Sequence, residues 1–465
     1  MLENLRTGAW LTRERLLAYP AILLILSLAA ALALIATSHA GIDAFGRPLG
    51  TDFSGIFTAG REVAQGHPAQ PYDVAAFRDD QARLFGASKD FYVWFYPPYF
   101  LGLAGILGHL PYLAALTLWQ AMTLPLYLAA VLRALGPTKL PIRPVIIAAL
   151  AFPTVFINMM HGQNGFLTAA LLGGGLTLLE RRPLLAGLCF ALLAYKPQFG
   201  FLLVPALLAG RHWRAAAGAA AALAGISLAT LAAFGAAPWQ GFFAQLDFTR
   251  VVLEQGAAGF AKIESPFAAV RLLGGGLNLA YAAQGAASFA LFVAVLLVWR
   301  SAADFRLKAA ALMSASLVAT PHVFDYDMAI LAPALAFAVS YGLDKGFGPF
   351  EKSGLALVWI APLLARPLAE TVVLPLGPIA VLLFFSGLLR RAWDEQAKRA
   401  TIIECLPSAE HRDYACAALP AAASPTPDMP EKTPADSDQE IPKSTSSFVS
   451  NSGNFLFTIE HGIFC

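Results

Sequence analysis

One carboxylate stands out for the chemistry it could do. Asp52, in Thr51-Asp52-Phe53, follows the first hydrophobic run and opens a stretch whose apolar residues 53, 56, 57 and 63 fit an amphipathic helix. An acid there has two readings. It can cap the helix by accepting backbone N–H groups. It can also act as a general base, because a helix N-terminus favours the charged form that a base needs. The two are compatible. Other polar residues recur at apolar boundaries: His161-Gly162-Gln163-Asn164, Lys196-Pro197, and Pro321-His322 followed by Asp325-Tyr326-Asp327.

Lys196 is the second informative residue. It lies between two apolar runs, 184–195 and 198–210, each shorter than the ~20 residues an untilted span needs. Pro197 removes a backbone donor at the same place. Such breaks are tolerated where they line a cavity or are buried in protein, and an ionisable group inside a membrane usually faces a functional cavity. The bland alternative is a lysine that snorkels to the interface. His161, Gln163 and His322 read either as polar caps or as hydrogen-bond partners of a phosphate or sugar. Asp325 and Asp327 read as interfacial caps, as sugar contacts, or as a divalent-cation site, for which two acids without a third ligand are weak evidence. Arg61, nine residues past Asp52, is two and a half turns away on an ideal helix. It reads as a surface arginine, or at most as an acceptor or sugar contact. Arg250, Lys262 and Arg271 are surface charges with a small prospect of meeting an anionic acceptor or lipid head.

The elements that must position these residues are membrane spans. Hydrophobic residues make up 57% of the 465 and charged residues only 13%, so lipid is the solvent. No basic patch suited to nucleic acid is present, nor a phosphate-binding or dinucleotide loop. The cysteines Cys189, Cys405, Cys416 and Cys465 lack metal-site spacing. The run 21–40 after Arg6, Arg13 and Arg15 reads as a retained anchor rather than a cleaved signal, although Ser38-His39-Ala40 resembles a cleavage site.

About twelve spans are expected, near 20–38, 113–133, 144–160, 165–180, 184–195, 198–210, 214–235, 281–299, 308–320, 328–343, 354–367 and 372–390. The apolar stretch from Tyr96-Pro97-Pro98 to Pro111 is left outside. Only then do Arg133, Lys139 and Arg143, Arg181 and Arg182, Arg211 and Arg214, Arg300 to Lys308, Lys345 and Lys352, and Arg390 and Arg391 all fall on the cytoplasmic side. Trp94, Phe95, Tyr96, Tyr99 and Tyr112 then suit the outer interface. The expected domains are a polytopic body, 1–398, and a disordered cytoplasmic tail, 399–465, rich in Ala, Pro, Ser and Thr.

Taken in order, Asp52-Phe53, a helix ending near Gly66, Pro71-Tyr72-Asp73, Tyr96-Pro97-Pro98, Trp119, His161-Gly162-Gln163-Asn164, Ala186-Gly187 leading to Lys196-Pro197, and Pro321-His322 with Asp325-Tyr326 resemble glycosyltransferase family 87 of the GT-C superfamily. The resemblance implies an all-α polytopic fold of GT-C type, with interfacial helices in the first outer loop. It implies a hexosyltransferase that takes a sugar, often mannose, from a polyprenyl-phosphate donor outside the cytoplasmic membrane and passes it with inversion to a lipid or glycan acceptor. The acidic residue of the first outer loop, here Asp52, would be the base. The donor phosphate, leaving as an anion, needs cationic or N–H partners. Lys196 is the best candidate, with His161, Gln163 and His322 beside it; Asp325, Tyr96 and Arg61 are candidate acceptor or sugar contacts. No cofactor is firmly implied, a divalent cation stays open, and no metal-site residues are assigned. A transporter or lipid flippase is the competing reading, because broken helices also mark transport sites. Against it, no repeated halves are visible and the polar residues gather at one face.

Overall fold

The computed structural model describes residues 1–86, 90–138 and 140–404. The expected tail therefore lies outside the described residues except for 399–404, the end of the last helix, Leu376–Glu404. Lys139, Cys405, Cys416 and Cys465 also fall outside.

Among the described residues every named element is helical, joined by three isolated bridges. Seven helices are long and apolar enough to cross a bilayer, or eight if the bent pair Ile142–Leu150 and Pro153–His161 is one span. The pair bends by 49° where Pro153 starts the second half. Each of the twelve expected spans has a helix at its position. Four of them, Gly165–Leu178, Pro183–Leu192, Gly200–Ala209 and Phe305–Val318, are too short to cross untilted, so twelve is not the number that length supports. The chain is a multi-pass membrane protein.

Side-chain chemistry sorts these helices into centre and rim. In Phe305–Val318, Leu307 and all residues from Ala309 to Val318 are buried. A helix apolar all round must be enclosed. Its alanines and serines let neighbouring helices approach closely, the usual solution where lipid provides no hydrophobic drive. Leu331–Lys345 is enclosed alongside it. Arg13–Ala36 and Trp213–Phe234 bury almost nothing and present apolar faces outward.

Hydrogen bonds fix which helix ends meet. Trp119 Nε1 donates to Gly162 O (3.1 Å) and Gln120 Nε2 to Met159 O (2.8 Å) at one end. At the other, Trp299 Nε1 donates to Lys308 O (3.1 Å), and Asp304 N donates to Glu395 Oε2 (3.0 Å). The Asp52, His161, Lys196 and Asp325 segments share the first end.

The segment 96–111 makes a 3-10 turn and the short helix Leu101–Gly108, in keeping with its exclusion from the spans. It is no interfacial fringe, however. Trp94 is fully enclosed, and Phe100 stacks on Tyr195 with ring centroids 4.9 Å apart. Aromatics expected at the interface thus form part of the core, because Phe53–Ala64 and Leu101–Gly108 lock together. Phe53–Ala64 is buried almost all round its surface, rather than on one amphipathic stripe. The lock depends on Gly60 and Gly108: a Cβ on either would run into the other helix's backbone. We expect Gly60→Val to force these helices apart and to destabilise the protein by about 1–3 kcal/mol, read as a lowered thermal unfolding midpoint in detergent. An unchanged midpoint would show the two helices are not so locked.

Candidate active site

A tight turn delivers Asp52. Gly50 takes a φ of 70°, and Phe53 N donates back to Gly50 O (2.6 Å). Asp52 itself has helical backbone angles, φ −65° and ψ −24°, and its side chain caps nothing. Asp73 makes the contrast: extended, it accepts from Ala75 N and Ala76 N, both at 3.1 Å. The capping account of Asp52 therefore fails, and its carboxylate is free to face elsewhere.

It faces three partners. Gln163 Nε2 donates to Asp52 Oδ2 (3.1 Å), Lys262 Nζ lies 3.5 Å from the same oxygen, and His161 Nδ1 lies 3.7 Å away. The Asp52 side chain keeps 14% of its exposure. Burial opposes its charge, but Lys262, His161 and Gln163 together hold its carboxyl below the usual range. Asp52 is thus held in its charged form with polar groups within reach.

Two short turns set these partners. Gly162, at φ 58°, ends the Pro153–His161 helix. Asn158 then clamps the turn: its Oδ1 accepts from Gly165 N (2.8 Å), and its Nδ2 donates to Thr154 O (3.0 Å) and Tyr326 O (2.9 Å). The same residue so ties the 161–164 turn to the 325–330 turn. Thr51 Oγ1 and His161 Nδ1 share a hydrogen bond of 2.7 Å. Tyr96 Oη donates to Gln163 Oε1 (3.3 Å) and accepts from Asn164 Nδ2 (2.7 Å). Burial, reinforced by the charges of Asp52 and Asp327, pushes the Tyr96 phenol upward, so it stays a donor.

Lys196 occupies the expected helix break. The Pro183–Leu192 helix tightens to a 3-10 turn, Lys196 leaves helical geometry at φ −122° and ψ 77°, and a second 3-10 turn leads into Gly200–Ala209. Its ammonium is ion-paired with Asp327 and lies 4.8 Å from the centroid of the Tyr326 ring. Lys262 Nζ approaches the same ring at 5.8 Å. Tyr326 is thus a shared aromatic surface linking the Lys196–Asp327 pair to the Asp52–Lys262 pair. Asp327 Oδ2 also accepts from Phe324 N (3.2 Å), which makes it a cap as well as a counter-ion. Asp325 accepts from Tyr326 N (2.8 Å), with Arg366 Nη1 at 3.9 Å. His322 packs its ring edge-on against Phe324 (5.4 Å) and Phe95 (6.1 Å), and burial lowers its pKa.

The structure therefore gathers Asp52, Tyr96, His161, Gln163, Lys196, His322 and Asp325 at one end of the bundle. It does not bring Arg61 there: Arg61 Nη1 donates to Gly108 O (3.3 Å), on the lock between the two short helices. The helical distance from Asp52 accounts for this. Arg250 pairs with Glu254 (2.8 Å), and Arg271 bonds Gly275 O (2.9 Å). Lys262, weighed in the sequence no differently from those two, is the one that reaches Asp52. A single backbone bridge carries it in: Ile263 pairs with Phe324, and Glu264 N donates to Val323 O (2.8 Å). Arg366, Asn158 and Tyr195, whose hydroxyl bonds Thr168 Oγ1 at 2.7 Å, carried no signal in the sequence. Among the described residues no group of three His, Cys, Asp or Glu side chains is placed to hold a metal.

Glu264, next to that bridge, is 3% exposed, and its carboxyl packs where a Cβ on Gly377 would have to go. Burial, followed by the nearby Asp325 charge, raises its pKa from 4.5 to about 8. A raised carboxyl favours folding fully below its unfolded pKa, and that favour is lost as pH rises through the folded value. Stability should therefore fall between pH 4.5 and about 8. We expect Glu264→Gln to flatten that fall and to raise the unfolding midpoint at pH 9 above wild type, since each pKa unit is worth about 1.4 kcal/mol; parallel curves for the two proteins would refute it.

Comparison with known proteins adds one finding. The family model of glycosyltransferase family 87 matches residues 94–321, a stretch that holds Tyr96, His161, Gln163, Lys196 and Lys262. Asp52 precedes the matched stretch, and Asp325 and Asp327 follow it. No curated protein and no solved structure matches the chain. A helical multi-pass architecture of this kind is consistent with the GT-C superfamily, and over residues 94–321 the chain is similar to glycosyltransferase family 87.

Proposed function

We propose that this membrane-embedded glycosyltransferase moves a hexose, with mannose the expected sugar, from a polyprenyl-phosphate donor to a lipid or glycan acceptor on the outer face of the cytoplasmic membrane. Asp52 is the general base. The observation that supports this reading is the pairing of Asp52 Oδ2 with Lys262 Nζ at 3.5 Å and Gln163 Nε2 at 3.1 Å, which keeps a largely buried carboxylate charged. A base must be ionised and within reach of the proton it removes.

In this mechanism the acceptor hydroxyl gives its proton to Asp52 while its oxygen bonds the anomeric carbon. The bond from that carbon to the donor phosphate oxygen breaks, and the electron pair leaves with the phosphate. Attack opposite the leaving group inverts the anomeric centre. The departing anion needs no proton, only fixed positive charge and donors. Lys196, across the Tyr326 ring from Lys262, is the proposed phosphate partner. Its present counter-ion is Asp327, so the incoming phosphate would share or replace that pairing. His161, Gln163 and His322 are proposed donor contacts, and Tyr96 and Asp325 proposed acceptor or sugar contacts. The basic loops at the opposite end of the helices support an outer-face location by the positive-inside rule.

The direct test incubates purified protein with several polyprenyl-phosphate sugars and membrane lipids and identifies product by mass spectrometry. Asp52→Asn should lose turnover by about 10²–10⁴-fold while retaining donor binding. Full turnover in that variant would refute the assignment of the base. Lys262 lowers the pKa of Asp52, so Lys262→Met should move the acid limb of the pH–activity profile upward by about one unit or more. An unmoved limb would separate Lys262 from the titration of the base.

A further inference from the structure

A large cavity lies far from Asp52. It encloses about 940 Å3 between the Gly200–Ala209 and Leu277–Arg300 helices. That volume is in the range of sites for small molecules. Both helices begin at the end that carries Lys196 and the 236–276 loop, so their last residues, which line the cavity, belong to the opposite end.

The cavity has two chemistries. Its mouth holds Arg211, Arg300 and Lys308, and no carboxylate lines it. Its floor is apolar and opens to the bilayer side, where Leu208, Val293 and Leu297 are 42%, 37% and 55% exposed. Trp213, 59% exposed, stands at the rim, at the depth indoles favour between headgroups and chains.

The basic groups differ in how far they are occupied. Lys308 Nζ donates to Ser301 O (2.7 Å). Arg306 and Arg391, nearby at the same end, are matched by Asp304 and Glu351. Among the described residues neither Arg211 nor Arg300 meets a carboxylate. Arg211 also takes a φ of 60°, a left-handed conformation that favours glycine. An arginine at a backbone position that suits glycine is an observed outlier from which a functional hypothesis can start.

We infer that this cavity holds an anionic phospholipid of the bilayer, its phosphate between the Arg211 and Arg300 guanidinium groups and an acyl chain along Leu208 and Leu297. Charge complementarity selects the headgroup, since basic pockets between membrane helices bind anionic lipid heads. The apolar floor selects a lipid over a free anion. The inference does not rest on the transfer reaction, and its test needs no substrate.

The test uses the purified full chain in uncharged detergent. Phosphatidylglycerol, phosphatidylcholine and inorganic phosphate are added separately, with the unfolding midpoint and lipid retained in native mass spectrometry as readouts. Phosphatidylglycerol should be retained and should raise the midpoint; phosphatidylcholine and phosphate should do neither. The double variant Arg211→Gly with Arg300→Gln should bind phosphatidylglycerol about tenfold or more weakly. Glycine suits the backbone at 211, so without lipid this variant should unfold no lower than wild type. Val293→Trp should block the lipid without touching charge, and Arg250→Gln, at the other end, should change nothing. Equal retention of phosphatidylcholine, undiminished binding in the double variant, or a midpoint shift produced by phosphate alone would each overturn the inference.

Discussion

A negative charge that must survive inside a mostly apolar body governs this structure. Taking a carboxylate out of water is expensive, and a group left alone there becomes neutral. Asp52 escapes that fate because a cation, an amide and an imidazole converge on one of its oxygens. None of the three comes from its own helix. The site is therefore a product of tertiary assembly, and the short helices, clamps and breaks around it can be understood as the means of bringing distant chain segments to one carboxylate.

Packing and electrostatics meet at three joints. The glycine contact packs Phe53–Ala64, the helix that follows Asp52, against Leu101–Gly108. Asn158 ties the Gln163 turn to the Tyr326 turn with both ends of its amide. The Ile263–Phe324 bridge holds Lys262 against that second turn. Each joint uses backbone atoms, which have fewer alternative positions than a long side chain. Tyr326 is common to two of them and underlies both ammonium groups. Such a network rewards completeness, because a buried polar group that loses its partner bears the full desolvation penalty.

Much of this was legible in the residues. Hydropathy gave the helices, and Pro197 beside Lys196 marked the break that the backbone shows. The order of short motifs pointed to the family later matched over residues 94–321. Three things were not legible, for physical reasons. Span number depends on how short helices sit among neighbours, and hydropathy sees only length and composition. The cap at Asp52 depends on a backbone angle that Asp, like most residues, adopts in either form. Lys262 looked like Arg250 and Arg271 because its importance comes from a strand-like pairing with Phe324, some sixty residues away, and no local pattern encodes such a contact. Lys196 was recognised as unusual, but its partner Asp327 was read as a cap, and it is both.

The single bridge at Ile263 has a bearing on biogenesis. During synthesis, Asp52 is made early, Gln163 roughly a hundred residues later, and Lys262 another hundred after that, while its anchor Phe324 comes later still. A nascent chain halted in the 236–276 loop would thus hold the acid with His161 and Gln163 but without the Lys262 cation. Completion of the Asp52 cluster then becomes a late event in maturation, one that waits for the docking of that loop onto the 323–324 segment.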